Sequence, residues 1–160
     1  MGSPALDLPT RGDPDRYFGR DRFRVIVSGR STHGRYSLME WISPAGPLGP
    51  GHRHANYEEA FLVVEGEVLF ELGDDRTKVV AHPGTWVRAP AGTRHTFQAQ
   101  GGEARMLVVF TPGGMEELFE AFSDDTAEAA CSATSRLALG GAHFVKTARE
   151  DHGTEYEFAG

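Results

Sequence analysis

The chain has 160 residues and a formal net charge of −7, with 39% apolar residues, 20 glycines and 9 prolines. That length suits one domain with its own core, and the abundance of turn formers leans towards an all-β class. The charge balance argues against a nucleic-acid partner, the lack of a long apolar run against a membrane span, and the single cysteine, Cys131, against an internal disulfide.

Residues 1–16 are polar and rich in Pro, Gly and Asp, and read as a flexible arm. A single β-domain is expected over 17–112. FRVIVSG (Phe23–Gly29) and YSLMEWI (Tyr36–Ile42) read as strands, separated by the turn-like STHG and followed by the turn-rich SPAGPLGPG. EEAFLVVEG and EVLFEL then predict two strands with Gly66 between them. GDDR is a hairpin turn, and TKVVA is the returning strand. After the turn HPG, the runs TWVRAP, RHTFQA and ARMLVVF continue the strand pattern, and such short punctuated strands indicate a sandwich or barrel. The pattern changes after Phe110. In MEELFEAF, residues Met115, Leu118, Phe119 and Phe122 recur at steps of three and four, which predicts a helix with one apolar face. The remainder, 113–160, reads as a C-terminal helical extension and tail: Thr126–Leu139 is Ala-rich and predicted helical, and little fixes the acidic tail from Glu150.

The stretch GHRHANYEE (Gly51–Glu59) carries the chemistry. On a strand, His52 and His54 point to one face. Two imidazoles and a carboxylate converging is a donor set for a divalent metal, although H-x-H alone also fits a polar loop. The second half lies in GTWVRAPAGTRHTF (Gly84–Phe97), where a Pro-x-Gly turn precedes His95.

Together these stretches resemble the cupin family. Gly46, His52, His54, Glu59 and Gly66 match its first motif in spacing, and Gly84, Pro90, Gly92 and His95 match its second. The chain departs where the family has asparagine and it has Ala99. The resemblance covers Tyr36 to about Phe110. It implies a single small jelly-roll β-barrel, with His52, His54, Glu59 and His95 holding one divalent metal ion. The fixed gap to Gly66 selects Glu59 over Glu58 as the carboxylate. A carboxylate in a strand that is apolar on both faces needs a cation or hydrogen bonds to offset its burial.

Three imidazoles and a carboxylate suit Fe, Ni, Co, Cu, Mn or Zn alike, and four protein ligands leave open positions on a five- or six-coordinate ion. Tyr36, Trp41, Phe61, Phe97 and Phe110 are the expected substrate-binding aromatics, and they favour an apolar or aromatic small-molecule ligand. Tyr57 and Arg94 are expected at the surface, as are His33, His82, His143 and His152. The segment FTPGGMEELFEAF is similar to one in small cupins that resemble quercetin dioxygenases, which implies that Glu59 is also the catalytic base. A dioxygenase acting on a phenolic or enolisable substrate is the first reading. A metal-assisted isomerase or cyclase working without O₂ is the second, and a non-catalytic binding module the third. A cytoplasmic location and a homodimer are expected: MGSPALDLPTRGD has no apolar signal core, and small sandwiches commonly shield strand edges by pairing.

Overall fold

The computed structural model describes residues 15–130 and 154–156. Among the described residues nine strands carry the fold. They are β1 (Arg16–Phe18), β2 (Asp21–Val27), β3 (Ser37–Ser43), β4 (His52–His54), β5 (Glu58–Leu72), β6 (Thr77–Ala81), β7 (Trp86–Ala89), β8 (His95–Thr111) and, after the helix α1 (Glu116–Ala121), β9 (Thr154–Tyr156).

The frame is the antiparallel pair β5–β8. It runs from Glu58 opposite Thr111 at one end to Leu72 opposite His95 at the other. The first half of β5 also pairs with β7, and the second half with β6. On the far side of β8, its last residues pair with β3, which carries β2 and β1. Its first residue pairs with β4, which carries β9.

Phe61 and Phe70 stand nine positions apart on β5 (61 to 70), about 30 Å along a straight strand. Their ring centroids are only 5.0 Å apart. The strand is therefore folded over, and its two halves face each other across the core. The fold occurs at Gly66, where the register jumps from Glu65 opposite Arg105 to Glu67 opposite Gln100. Gly66 has φ +79°, and a Cβ there would stand 2.7 Å from the Glu103 carbonyl oxygen, so only glycine fits. The two strands expected on either side of Gly66 are thus one bent strand, as are the two expected within His95–Thr111. The result is a two-layered jelly roll made by folding an open sheet. Among the described residues the sheet does not close into a hydrogen-bonded ring, since β1, β6, β7 and β9 each have a single partner strand.

Inward-facing residues fill the space between the layers, among them Phe23, Met39, Trp41, Phe61, Val63, Phe70, Met106, Val108 and Phe110, all buried. The helix closes one end. Met115, Leu118 and Phe119 are buried and Phe122 is partly so, as the spacing predicts. Phe119 meets Trp41 edge-on at 5.1 Å and Phe18 at 5.2 Å. Glu116, in the first turn, is also buried, because its two carboxylate oxygens accept from the backbone N–H groups of Gly29 and Gly114.

Three expectations need correction, and others fall wholly or partly outside the described residues. Arg94 is not at the surface: it is 5% exposed and paired with buried Glu71 at 2.9 Å. The acidic tail is fixed in part, because Thr154–Tyr156 adds β9 to the edge of β4. The expected arm overlaps β1 by one residue, Arg16. The Ala-rich helix is described only to Ala130, where Thr126 Oγ1 accepts from the Ala129 N–H as an N-cap does. Cys131, His143, His152 and residues 1–14 lie outside the described residues.

Candidate metal centre and the cavity beside it

Local structure brings the histidines together. His52 and His54 share a face of β4, and the β4–β8 ladder sets His52 directly opposite His95. The Pro90–Gly92 turn of the second motif docks on the first, with the Gly92 N–H donating to the His54 carbonyl at 2.7 Å. Glu59 reaches the cluster from β5. Its Oε2 lies 2.7 Å from His95 Nε2, 2.9 Å from His54 Nε2 and 3.9 Å from His52 Nε2. Glu59, His54 and His95 are buried, and His52 is partly so.

Each imidazole is held through its other nitrogen. His52 Nδ1 is 3.1 Å from the Pro50 carbonyl, His95 Nδ1 is 2.8 Å from the Thr93 carbonyl, and His54 Nδ1 is 2.9 Å from Thr154 Oγ1. A carbonyl only accepts, so Nδ1 of His52 and His95 carries a hydrogen, and Nε2 of each is the nitrogen turned towards the cluster. Two ligand atoms each ~2.1 Å from one ion stand at most about 4.2 Å apart. The three distances from Glu59 Oε2 fall within that limit, and all four donor atoms lie within 4.8 Å of one another, which makes the group a candidate site for one divalent ion.

The charges agree with this arrangement. Burial pushes His52 down to about 4, helped by the charge on His95, so His52 is neutral near pH 7. Burial alone would raise Glu59, but the His95 charge and the three imidazoles packed around its carboxylate hold it well below the usual carboxylate range. Burial would lower His95, yet the Glu59 charge and hydrogen bond, with the Thr93 carbonyl, raise it. The cluster is therefore a carboxylate among positive or donating groups, the role a metal ion fills in a loaded site.

Glu58, the neighbour set aside by spacing, turns outward to an ion pair with Arg88. Its carboxyl is held below the usual range by that hydrogen bond.

A cavity of about 360 Å³ opens from His52 and Glu59. Trp41, Phe61 and Phe97 line it. Phe110 is buried behind the cluster instead, edge-on to His54 at 5.9 Å. Tyr36 stands away from it, 43% exposed. Strand alternation accounts for Tyr36: Ser37, Met39 and Trp41 face inward, so Tyr36 has the opposite parity.

The family description "Cupin domain" matches residues 39–110, the span that contains all four clustered side chains. The span 39–110 is a cupin domain. It is a small one, and it resembles quercetin-dioxygenase-like members of the family. The quercetin 2,3-dioxygenase of Bacillus subtilis is 25% identical over 114 residues, covering 71% of this cupin and 33% of that protein. That of Aspergillus japonicus is 31% identical over 103 residues, covering 61% and 29% respectively. The chain thus spans about a third of the length of these curated relatives. Among solved structures, KdgF from Halomonas sp. superposes with a TM-score of 0.60 at 18% identity, covering 71% of this cupin and 99% of that chain. The polyketide cyclase RemF from Streptomyces resistomycificus gives 0.52 at 25% identity, covering 65% and 71%.

Several wall and support residues of this cupin lie outside the family motifs. Phe18, Arg20, Asp21, Ser43, Gln98 and Phe119 all line the cavity. Gly46 has a second purpose besides motif spacing: a Cβ there would stand 2.1 Å from an Arg20 guanidinium nitrogen, so Arg20 can lie across the loop only because residue 46 is glycine. Asp21 was legible in principle, since it shares a strand face with inward Phe23. Thr154 had no local signal, because it lies 100 positions from the histidine it touches. No helix among the described residues is long and apolar enough to cross a membrane.

Proposed function

We propose that this cupin is a metal-dependent dioxygenase acting on a phenolic or enolisable aromatic small molecule. The observation that carries the reading is the cavity, which is walled by Trp41, Phe61 and Phe97 and ends on His52 and Glu59. Its volume falls in the range of drug-sized ligand sites. The relatives named quercetin 2,3-dioxygenase support the same substrate class.

His52, His54, Glu59 and His95 would hold the ion, which would supply Lewis-acid polarisation to a pair of ligand oxygens and lower the pKa of a ligand hydroxyl. The chain's own residues do the remaining work. Phe61 and Phe97, 5.8 Å apart, offer ring surfaces to a flat ligand and exclude water from it. Glu59 lines the cavity and is the base that takes the hydroxyl proton. A carboxylate with a low pKa is a weak base, and it suffices only because the hydroxyl is made acidic. The Nδ1 hydrogen bonds of the three histidines keep the Nε2 atoms aimed while this occurs.

The likeness to a polyketide cyclase favours a second reading, ring closure or isomerisation on a similar substrate without O₂. One experiment separates the two. Metal-loaded protein is incubated with quercetin in an oxygen electrode and, in parallel, anaerobically. Stoichiometric O₂ uptake with loss of quercetin supports the dioxygenase. Product formation from an enolisable polyphenol under anaerobic conditions, with no O₂ uptake in air, replaces it with the cyclase.

A further inference from the structure

The far end of the cavity holds a carboxylate for which the proposed chemistry has no use. Asp21 opens β2 just after the tight turn Phe18–Asp21, and it lines the cavity together with Trp41 and Ser43. Trp41 Nε1–H donates to its Oδ2 at 2.9 Å, and Ser43 Oγ–H donates to its Oδ1 at 2.6 Å. Burial raises the Asp21 pKa, while the Ser43 and Trp41 hydrogen bonds and the nearby Arg20 charge work against that rise.

The sheet register places this group away from the metal ligands. Ser43, which binds Asp21, sits opposite Ala104 on β8, whereas Glu59 sits opposite Phe110. Six positions of β8 (104 to 110) are about 20 Å of backbone, shortened by the side chains that reach in from both ends. Between them the walls are mainly apolar, including Phe61, Phe97 and Val108.

An ionised carboxylate has about four acceptor positions, and Trp41 and Ser43 occupy two. When a ligand fills the cavity it strips water from the others. A ligand that leaves them empty bears that loss, and a ligand whose hydroxyl reaches them does not. We propose that Asp21 is a specificity-determining residue that accepts a hydrogen bond from a hydroxyl at the end of an aromatic ligand distant from the metal cluster. The proposal rests on the phenolic ligand class argued above.

Asp21→Asn is the informative variant. Its carbonyl oxygen still accepts from Trp41, and its amide can donate to Ser43 Oγ once that hydroxyl rotates, so the clamp is kept while the charged acceptor is lost. Parent and variant are loaded with Co²⁺ and titrated anaerobically by calorimetry with quercetin and with galangin, the same flavonol without outer-ring hydroxyls. The parent is expected to prefer quercetin by about tenfold or more, the discrimination of a hydrogen bond to a charged group. Asp21→Asn is expected to lose that preference while its galangin affinity stays within about twofold. Equal affinity of the parent for both flavonols overturns the proposal, and so does equal weakening of both in a variant of unchanged melting temperature, which marks a purely structural aspartate. If the parent binds neither, the phenolic ligand class itself fails and the Asp21 subsite fails with it.

Discussion

The tail strand makes the most specific prediction. Thr154 is fully buried, and its hydroxyl lies between His54 Nδ1 at 2.9 Å and Met115 Sδ at 3.8 Å. Thr154→Val keeps the shape and removes the hydroxyl. Without that oxygen, the hydrogen on Nδ1 has no acceptor. The ring then gains by moving it to Nε2, which faces Glu59 Oε2 at 2.9 Å and can donate there. Nε2 is the atom a metal ion needs, so the ion must reverse the shift and leave a buried N–H unpaired, at about 1–3 kcal/mol. That corresponds to a ten- to hundredfold loss of metal affinity, the usual effect of removing such a partner. The metal-free protein should lose less than about 1 kcal/mol, because the Glu59 contact replaces the lost one. Competition against a chelator with Co²⁺ measures the affinity, and urea unfolding of the metal-free protein measures the stability. Thr154→Ser should restore binding. Parent-like affinity in Thr154→Val would refute the reasoning, and an equal fall in metal-free stability would reduce Thr154 to a packing residue.

Glu59→Gln keeps an oxygen ligand but weakens the base; metal content should be largely retained while kcat falls about a hundredfold or more, as determined by metal analysis and steady-state rates on one preparation. Metal uptake should weaken in acid: His95 has a raised pKa in the metal-free fold, so the ion must displace its proton as pH falls below that value. In the metal-free protein the same shift contributes stability below the unfolded histidine value of 6.5 that is lost as pH rises through the folded pKa, whereas the lowered Glu59 contributes above 4.5 and is lost as pH falls through its folded pKa; unfolding scans across pH, with and without metal, should show both limbs. Arg94→Met leaves Glu71 charged and buried without its partner and should cost about 3–5 kcal/mol in urea unfolding, with most of it recovered in the Arg94→Met, Glu71→Met double variant.

By itself the sequence determined the class of fold, the helix face and the four clustered side chains. Those features are local. Alternation and three- or four-residue steps follow from backbone geometry, and the spacings Gly46–His52–His54–Glu59–Gly66 and Gly84–Pro90–Gly92–His95, through their likeness to the cupin motifs, single out side chains on single strands and turns. Only the tertiary structure decided that β5 folds over at Gly66, because a bend is a relation between two halves of a strand and their shared partner β8. It also decided that Tyr36 points away from the cavity, that Arg94 is buried against Glu71, and that Asp21 meets Trp41 and Ser43. Thr154 is the clearest case: a hydroxyl 100 positions from His54 leaves no periodic or spacing signal, because hydrogen bonds to a ligand ring depend on where strands come to lie and not on how far apart they stand in the chain.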